Sequence, residues 1–171
     1  MYKAKEYSNA LRAFRESAEA GNVEAMMYVG TMQASGQGTP VSPVQAMVWF
    51  TKAAAAGDGQ AMCNIGILYY RGVGVPQRYD LALRWFRQGS LAGNAQAMFN
   101  AGVLYRDGLG VPVDFSAAMD WFLKAATGEN SLAMNSIGVM YQKGQGVPVD
   151  YREAMRWYAV RRSSEVASLI V

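Results

Sequence analysis

Apolar residues recur along the chain at helical spacing, in segments separated by short polar or glycine-containing stretches. Ala61, Ile65 and Leu68 are spaced three and four residues apart, which places them on one face of an amphipathic helix. In the next segment, Ala82 and Phe86 line a second such face. The pattern predicts two helices in succession, called here the first-type and the second-type helix.

This two-helix pattern returns every 36 residues. The recurring columns are Pro40, Pro76, Pro112 and Pro148; Gly30, Gly66, Gly102 and Gly138; Met26, Met62, Met98 and Met134; and Phe14, Phe50, Phe86 and Phe122. Self-similarity at a period between about 20 and 50 residues is typical of solenoids and related arrays. The sequence therefore predicts stacked helix pairs.

A glycine-rich stretch such as RGVGVP, Arg71 to Pro76, could be read as a phosphate-binding loop. It occurs four times, however, and it lacks the preceding strand and the lysine or serine that such a loop needs. A structural role accounts for it: Gly72 ends a helix in the left-handed conformation, Gly74 allows the chain to reverse, and Pro76 prevents the helix from continuing. We therefore interpret it as a turn between helices.

Capping residues mark where the helices begin. The first-type helices are preceded by a column of N-cap residues, Asn22, Asp58, Asn94 and Asn130. Ser42 with Gln45, and Asp150 with Glu153, form capping boxes at second-type helices. Arg78 departs from this pattern, so its helix is expected to begin less sharply, helped only by Asp80 near the positive end of the helix dipole.

The composition limits the kinds of partner and the location. The 171 residues are 51% hydrophobic and carry a net charge of only +3, without the clustered basic stripe of a nucleic-acid-binding domain, so no nucleic acid is expected. The single cysteine requires no oxidising compartment. The first residues contain no continuous apolar segment and no small-residue cleavage site, so no signal peptide is expected, and no apolar run reaches the length of about 18 residues that spans a membrane. We expect a cytoplasmic protein without membrane contact.

Catalytic and metal-binding chemistry find little support in the sequence. The chain contains no histidine, which removes the commonest general base and the histidine-dependent triads. Cys63 is interpreted as a small apolar filler rather than a reactive thiol, and the in-register methionines as core residues rather than a copper(I) site. We predict no enzyme activity, no metal and no cofactor.

The core A-x-x-x-[LI]-G-x-x-Y-x-x-G-x-G-V-P, followed by A-x-x-W-[FY]-x-x-A, resembles the Sel1-like repeat, a relative of the tetratricopeptide repeat. The resemblance extends from about Glu6 to Arg161. It implies an all-α, right-handed α-α superhelix (solenoid) of antiparallel helix pairs with a 36-residue repeat, serving as an adaptor for other proteins. The first repeat departs most, with Gln33 in a tyrosine column and Thr39 in a valine column.

We place a single solenoid domain over residues 1–171, with a leading second-type helix at about 5–20, repeats at about 22–57, 58–93, 94–129 and 130–162, and a C-terminal cap at 163–171. The tail SSEVASLIV resembles the start of another first-type helix and is expected to cover the last apolar face. A cap-like segment at each end favours a complete array. Alternatively, Leu169 to Val171 bind a partner or a second copy.

The first-type helices line the concave side in the fold that the resemblance implies, so their variable columns are candidates for partner binding. They predict a groove with an apolar middle around Ile67, Tyr70, Phe99 and Val103, flanked by Arg71, Arg106 and Lys143. The predicted partner-binding residues are Met27, Thr31, Gln60, Cys63, Ile67, Tyr70, Arg71, Gln96, Phe99, Val103, Arg106, Asp107, Asn135, Val139, Gln142 and Lys143. The opposing interpretation is that exposed positions vary because nothing constrains them.

We therefore predict a non-enzymatic scaffold that binds a peptide or helix of another protein, with some acidic character, in this groove. A second hypothesis is small-molecule binding or weak hydrolysis, because cysteine-rich relatives have been linked to β-lactams; this chain lacks their paired cysteines. A third hypothesis is a structural element that self-associates through its C-terminal tail.

Overall fold

The structure is a computed structural model that describes the backbone of residues 2–168 and the side chains of residues 6–160. The described chain forms α1 (Tyr2–Glu19), α2 (Val23–Ser35), α3 (Pro43–Ala55), α4 (Gly59–Arg71), α5 (Tyr79–Leu91), α6 (Ala95–Asp107), α7 (Phe115–Thr127), α8 (Ser131–Lys143) and α9 (Tyr151–Ser168). Connections of three and seven residues alternate between them. The chain divides into two compact units, unit 1 (Met1–Ala92) with α1 to α5 and unit 2 (Gly93–Val171) with α6 to α9. An all-α fold of 36-residue helix pairs is confirmed.

The predicted caps begin and end the first-type helices α2, α4, α6 and α8. At α4, the Asp58 carboxylate accepts a 2.6 Å hydrogen bond from the backbone N–H of Ala61. The asparagines at the equivalent positions of the other three helices do the same. Gly72 then ends α4 at φ 67° and ψ 37°, with its N–H donating to the Leu68 carbonyl. Each repeat thus satisfies local backbone groups that a helix end would otherwise leave unpaired.

The second glycine of the repeated turn has a packing role in addition to its backbone conformation. Gly74 has φ 75°, and a Cβ atom placed on it would lie 2.8 Å from the Pro43 Cβ and 3.1 Å from the Pro43 carbonyl carbon. Only a residue without a side chain allows this loop to pass so close to the start of α3. The interpretation of the glycine-rich stretch as a structural turn is confirmed.

The core of unit 1 consists of buried apolar side chains from its helices. One cluster joins α3 and α4 through Ala46, Phe50, Ala53, Ala54, Ala61, Ile65 and Leu68. Buried among the apolar residues, Gln33 is only 4% exposed. Its side-chain carbonyl accepts a hydrogen bond from Arg15, and its amide donates to the Gln45 carbonyl. The glutamine that departs from the tyrosine column is therefore a satisfied polar group that ties α2 to its neighbours α1 and α3.

The core of unit 2 repeats the same arrangement. Its buried cluster consists of Ala118, Met119, Phe122, Ala125, Ala133, Ile137 and Met140. The Phe122 ring is fully buried and lies against Gly102, where a Cβ atom would be 2.6 Å from the ring. The glycine column therefore exists because an aromatic ring of the paired helix, phenylalanine in three repeats and Tyr158 in the last, occupies the space of a side chain.

The C-terminal segment differs from the predicted separate cap. Residues 163–168 continue α9, which has 18 residues where α7 has 13. Val166 stands in the column that Asn22 and Asp58 occupy, so the side chain that would cap a new first-type helix is missing. We expected a new first-type helix to start in this segment, but α9 continues without a break to Ser168, so that expectation is wrong for residues 163–168. Leu169 to Val171 lie outside the described residues.

Helix α5 begins without a side-chain cap. Arg78 at the N-cap position makes no capping hydrogen bond, and its guanidinium instead donates to the Asp80 carboxylate over 2.8 and 2.7 Å. The hydrogen bond from Arg78 is the main reason that the pKa of Asp80 is lowered from 3.8 to about 2.

We expect Arg78→Gln to raise the pKa of Asp80 toward 3.8, because the replacement removes both the charge and the paired hydrogen bonds. Since the folded-state pKa lies below the unfolded value, the pair stabilises the fold above pH 3.8 and loses this contribution as the pH falls toward 2. An NMR titration of the Asp80 carboxyl carbon measures the shift. Arg84→Gln, one turn further along the same helix, removes a nearby charge without removing a hydrogen bond and should shift the Asp80 pKa far less; an equal shift in both variants would contradict the assignment.

Candidate functional site

In unit 1, a pocket of about 250 Å³ lies between α2 and α4. Phe50 and Leu68, both buried, belong to its lining. The remaining lining residues are Thr31, Ala34, Pro43, Asn64, Ile67, Arg71 and Val73. The predicted residues Thr31, Ile67 and Arg71 therefore share one concavity, and we call it the aliphatic pocket.

A second concavity of about 530 Å³ continues along the same two helices. It is lined by Val23, Glu24, Met27, Tyr28, Thr31, Asp58 and Gln60. Thr31 lines both concavities, so they adjoin, and together they are called the unit-1 groove. The groove contains five of the predicted partner-binding residues, Met27, Thr31, Gln60, Ile67 and Arg71.

The two ends of the unit-1 groove carry opposite charges. Arg71 is exposed in the last turn of α4, and among the described side chains it forms no salt bridge. Glu24 and Asp58 lie at the opposite end, where α2 and α4 begin. The predicted basic flank is thus only one end of a groove with an acidic second end.

An amide pair lies on the groove side of α4. The Gln60 amide donates a 3.1 Å hydrogen bond to the Asn64 side-chain carbonyl, one helical turn further along. Among the described contacts, the Asn64 amide donates to no other residue, and Asn64 lines the aliphatic pocket. Its N–H groups are therefore available as donors at the pocket wall.

Two predicted partner-binding residues of α4, Tyr70 and Cys63, take part in packing within the fold. The Tyr70 ring is half-buried and meets the Tyr79 ring edge-on, with 5.6 Å between centroids. Cys63 has no exposed surface. A side chain without surface cannot touch a partner, so the prediction that Cys63 binds a partner is wrong, while its interpretation as an apolar filler fits the burial.

In unit 2, the equivalent face of α6 carries the same amide pair. Gln96 donates a 3.2 Å hydrogen bond to Asn100 and accepts one of 3.2 Å from Asn130. Phe99 on this face is half-buried, with its ring 5.6 Å from that of Phe122, and the half-buried Val103 also packs against the core. Phe99 therefore makes a structural contact within unit 2 in addition to its remaining exposed surface.

The charge predicted for the unit-2 face is partly neutralised. The Arg106 guanidinium donates to the Asp107 carboxylate over 2.6 and 2.8 Å. On α8, the Gln142 side-chain carbonyl accepts a 3.0 Å hydrogen bond from the Tyr158 hydroxyl. The rest of the predicted surface here consists of Asn135 and Val139, which are half-buried, and Lys143, which is exposed. Arg106 is thus a weaker anion-binding candidate than Arg71.

The described part of the chain offers neither a metal site nor a membrane-spanning helix. Among its side chains, no group of three or more histidines, cysteines or carboxylates is arranged to hold a metal ion. None of the helices formed by these residues is both long and apolar enough to cross a membrane.

Several residues of the unit-1 groove were not predicted from the sequence. Asn64 had a detectable signal, because Gln60 with Asn64 and Gln96 with Asn100 repeat the same spacing of four on successive first-type helices. Pro43 and Val73 had no such signal in the sequence, since they reach the pocket from the start of α3 and from the turn after α4. Such residues join a site only through tertiary packing.

Comparison with known proteins identifies the repeat. The Sel1 repeat family model matches residues 23–58, 59–94, 95–130 and 131–159. No curated protein sequence matches the chain. Among solved structures, it is similar to c5321, a protective antigen present in uropathogenic Escherichia coli strains that displays an SLR fold, with 36% identity and a TM-score of 0.84. This match covers 90% of the present chain and 33% of the antigen.

A Sel1 repeat protein from Oxalobacter formigenes has 27% identity and a TM-score of 0.84, over 92% of this chain and 65% of that one. The immunity protein Pa5087 from Pseudomonas aeruginosa shares the fold at 18% identity and a TM-score of 0.65, over 92% of this chain and 58% of that one. The chain thus spans about a third of the antigen and slightly under two thirds of the Oxalobacter protein.

Proposed function

Because the chain belongs to the Sel1 repeat family, whose members are generally protein-interaction scaffolds, we propose that it is a non-enzymatic adaptor that binds a peptide or helix of another protein. The binding surface consists of the exposed sides of its first-type helices. In unit 1 these are α2 and α4, and in unit 2 they are α6 and α8.

One observation carries this proposal. Two adjoining concavities run along α2 and α4, and their lining includes five residues that the variable columns of the repeat had indicated. Packing residues recur in register, whereas these positions differ from repeat to repeat, as Met27 and Phe99 do. In a repeat protein, packing positions that stay constant beside an exposed concave surface that varies between repeats are the features of a recognition site.

The proposal predicts that filling the groove abolishes capture of a partner. Thr31 is exposed on α2 and lines both concavities, so Thr31→Trp places an indole where the partner would lie without entering the core. We expect the variant to keep the wild-type helical content. From an extract of the source cell, it should retain at least tenfold less of a partner protein than the wild type does. Quantitative mass spectrometry of the retained proteins measures this.

Thr51→Trp is the matched control, because Thr51 is also an exposed threonine within a helix but lies on the second-type helix α3. It should retain the wild-type set. Retention of the same proteins by all three chains would place binding elsewhere and refute the groove assignment. These two substitutions disturb the fold less than truncation of Tyr70 or Phe99 would, because the rings of Tyr70 and Phe99 make aromatic contacts within the fold.

A further inference from the structure

We infer that the unit-1 groove binds an extended peptide with an aliphatic side chain in the aliphatic pocket, an acidic side chain at Arg71 and a basic side chain at the Glu24–Asp58 end. The inference rests on the proposed function and specifies its ligand. It follows from the order of pocket, charge and hydrogen-bonding groups along α2 and α4.

The groove has the length and polarity for a short extended segment. Gln60, Asn64, Ile67 and Arg71 follow one another along a single stripe of α4. With a rise of about 1.5 Å per helical residue, this stripe is roughly 16 Å long, which corresponds to about five residues of extended chain. The stripe leads from an amide through an aliphatic residue to a guanidinium.

The aliphatic pocket suits a side chain better than a whole small molecule. Its volume of about 250 Å³ is below the range of roughly 300–1,000 Å³ that is usual for drug-sized ligands. Phe50, Ile67 and Leu68 provide apolar surface. An aliphatic residue of the peptide would bury its side chain there, while the Asn64 amide donates to a neighbouring backbone carbonyl.

Charge complementarity determines the two flanking residues. Arg71 presents its guanidinium beside the pocket without an acidic partner among the described residues, and a guanidinium binds a carboxylate with two hydrogen bonds. At the other end, Glu24 is exposed and the Asp58 carboxylate also caps α4. Asp58 is already engaged by the backbone of α4, whereas Arg71 has no acidic partner among the described residues, so Arg71 is expected to contribute the stronger discrimination.

The test begins with an unbiased selection of random 12-residue peptides displayed on phage, using the full chain as bait, and each enriched peptide is then tested for binding to the Thr31→Trp variant. We expect enriched peptides to share an aliphatic residue with an acidic residue one or two positions away, and to show basic residues on the far side. The enriched sequences are then synthesised with capped ends, and their Kd values are measured by fluorescence anisotropy.

Charge reversal identifies the role of Arg71. We expect Arg71→Glu to weaken binding of the acidic peptide about five- to tenfold, because the contact is an exposed ion pair. A peptide with lysine in place of the acidic residue should regain affinity for this variant. Raising the salt concentration should weaken binding of the acidic peptide to the wild-type chain. Arg84→Glu, an exposed arginine of α5 in the same unit, is the matched control and should leave the Kd unchanged.

The outcomes separate this inference from the proposed function. Enriched peptides that lose binding in Thr31→Trp but lack an acidic residue, or that bind Arg71→Glu as well as wild type, would overturn the inference and leave groove binding intact. Enriched peptides that bind Thr31→Trp equally would overturn the inference and the unit-1 location. If no peptide is enriched, both the inference and the proposal of peptide binding fail.

Discussion

Phe122→Ala is expected to lower the free energy of unfolding by about 3–5 kcal/mol, the usual cost of removing a fully buried aromatic ring. The ring has no exposed surface and belongs to the cluster that joins α7 to α8 in unit 2. It also lies against Gly102 and 5.6 Å from the Phe99 ring, so its loss leaves a cavity with rigid walls. Denaturant-induced unfolding followed by circular dichroism measures the change.

The matched control for this substitution is Leu123→Ala, one residue further along α7. Leu123 is 39% exposed, so its truncation should cost far less than that of Phe122. Hydrogen exchange should also show that Phe122→Ala reduces protection of the amides of α7 and α8. A free-energy loss below 1 kcal/mol would mean that this ring does not organise the unit-2 core.

Gly102→Val is expected to destabilise the chain by about 1–3 kcal/mol, the usual range for overfilling a packed core. A Cβ atom at this position would lie 2.6 Å from the Phe122 ring, which is closer than carbon atoms approach without displacement. Valine has only a slightly better helix propensity than glycine, so little intrinsic gain offsets the clash. Thermal and denaturant unfolding measure the loss.

A double substitution distinguishes a clash with Phe122 from a general effect of valine in α6. Phe122→Leu removes the edge of the ring that meets position 102, so Gly102→Val combined with Phe122→Leu should be more stable than the sum of the two single effects predicts. Additive effects would show that the valine destabilises through some other contact.

Much of the fold was predictable because its signals are local and repeated. The N-cap residues, the left-handed glycine after α4 and the apolar stripe of Ala61, Ile65 and Leu68 each concern atoms within a few residues of one another. A structural turn could be recognised in the glycine-rich stretch from its four copies, without any knowledge of Pro43, the residue that Gly74 packs against.

The candidate site was predictable only in part. The variable columns led to Thr31, Ile67 and Arg71, which line one pocket. The same reasoning also included Cys63, which is buried, because a helical repeat gives the direction of a side chain only to within a broad sector. Its neighbours determine whether the side chain reaches the surface.

The sequence by itself determined the repeat, the helix ends and the packing columns of this protein, since these depend on periodicity and on hydrogen bonds between near neighbours in the chain. Tertiary structure decided the contents of the groove: Pro43 and Val73 enter the aliphatic pocket from outside α2 and α4, and Cys63 is buried while Arg71 remains exposed. Burial and pocket shape depend on which groups packing brings together in space, and the order of residues along the chain does not specify those distances.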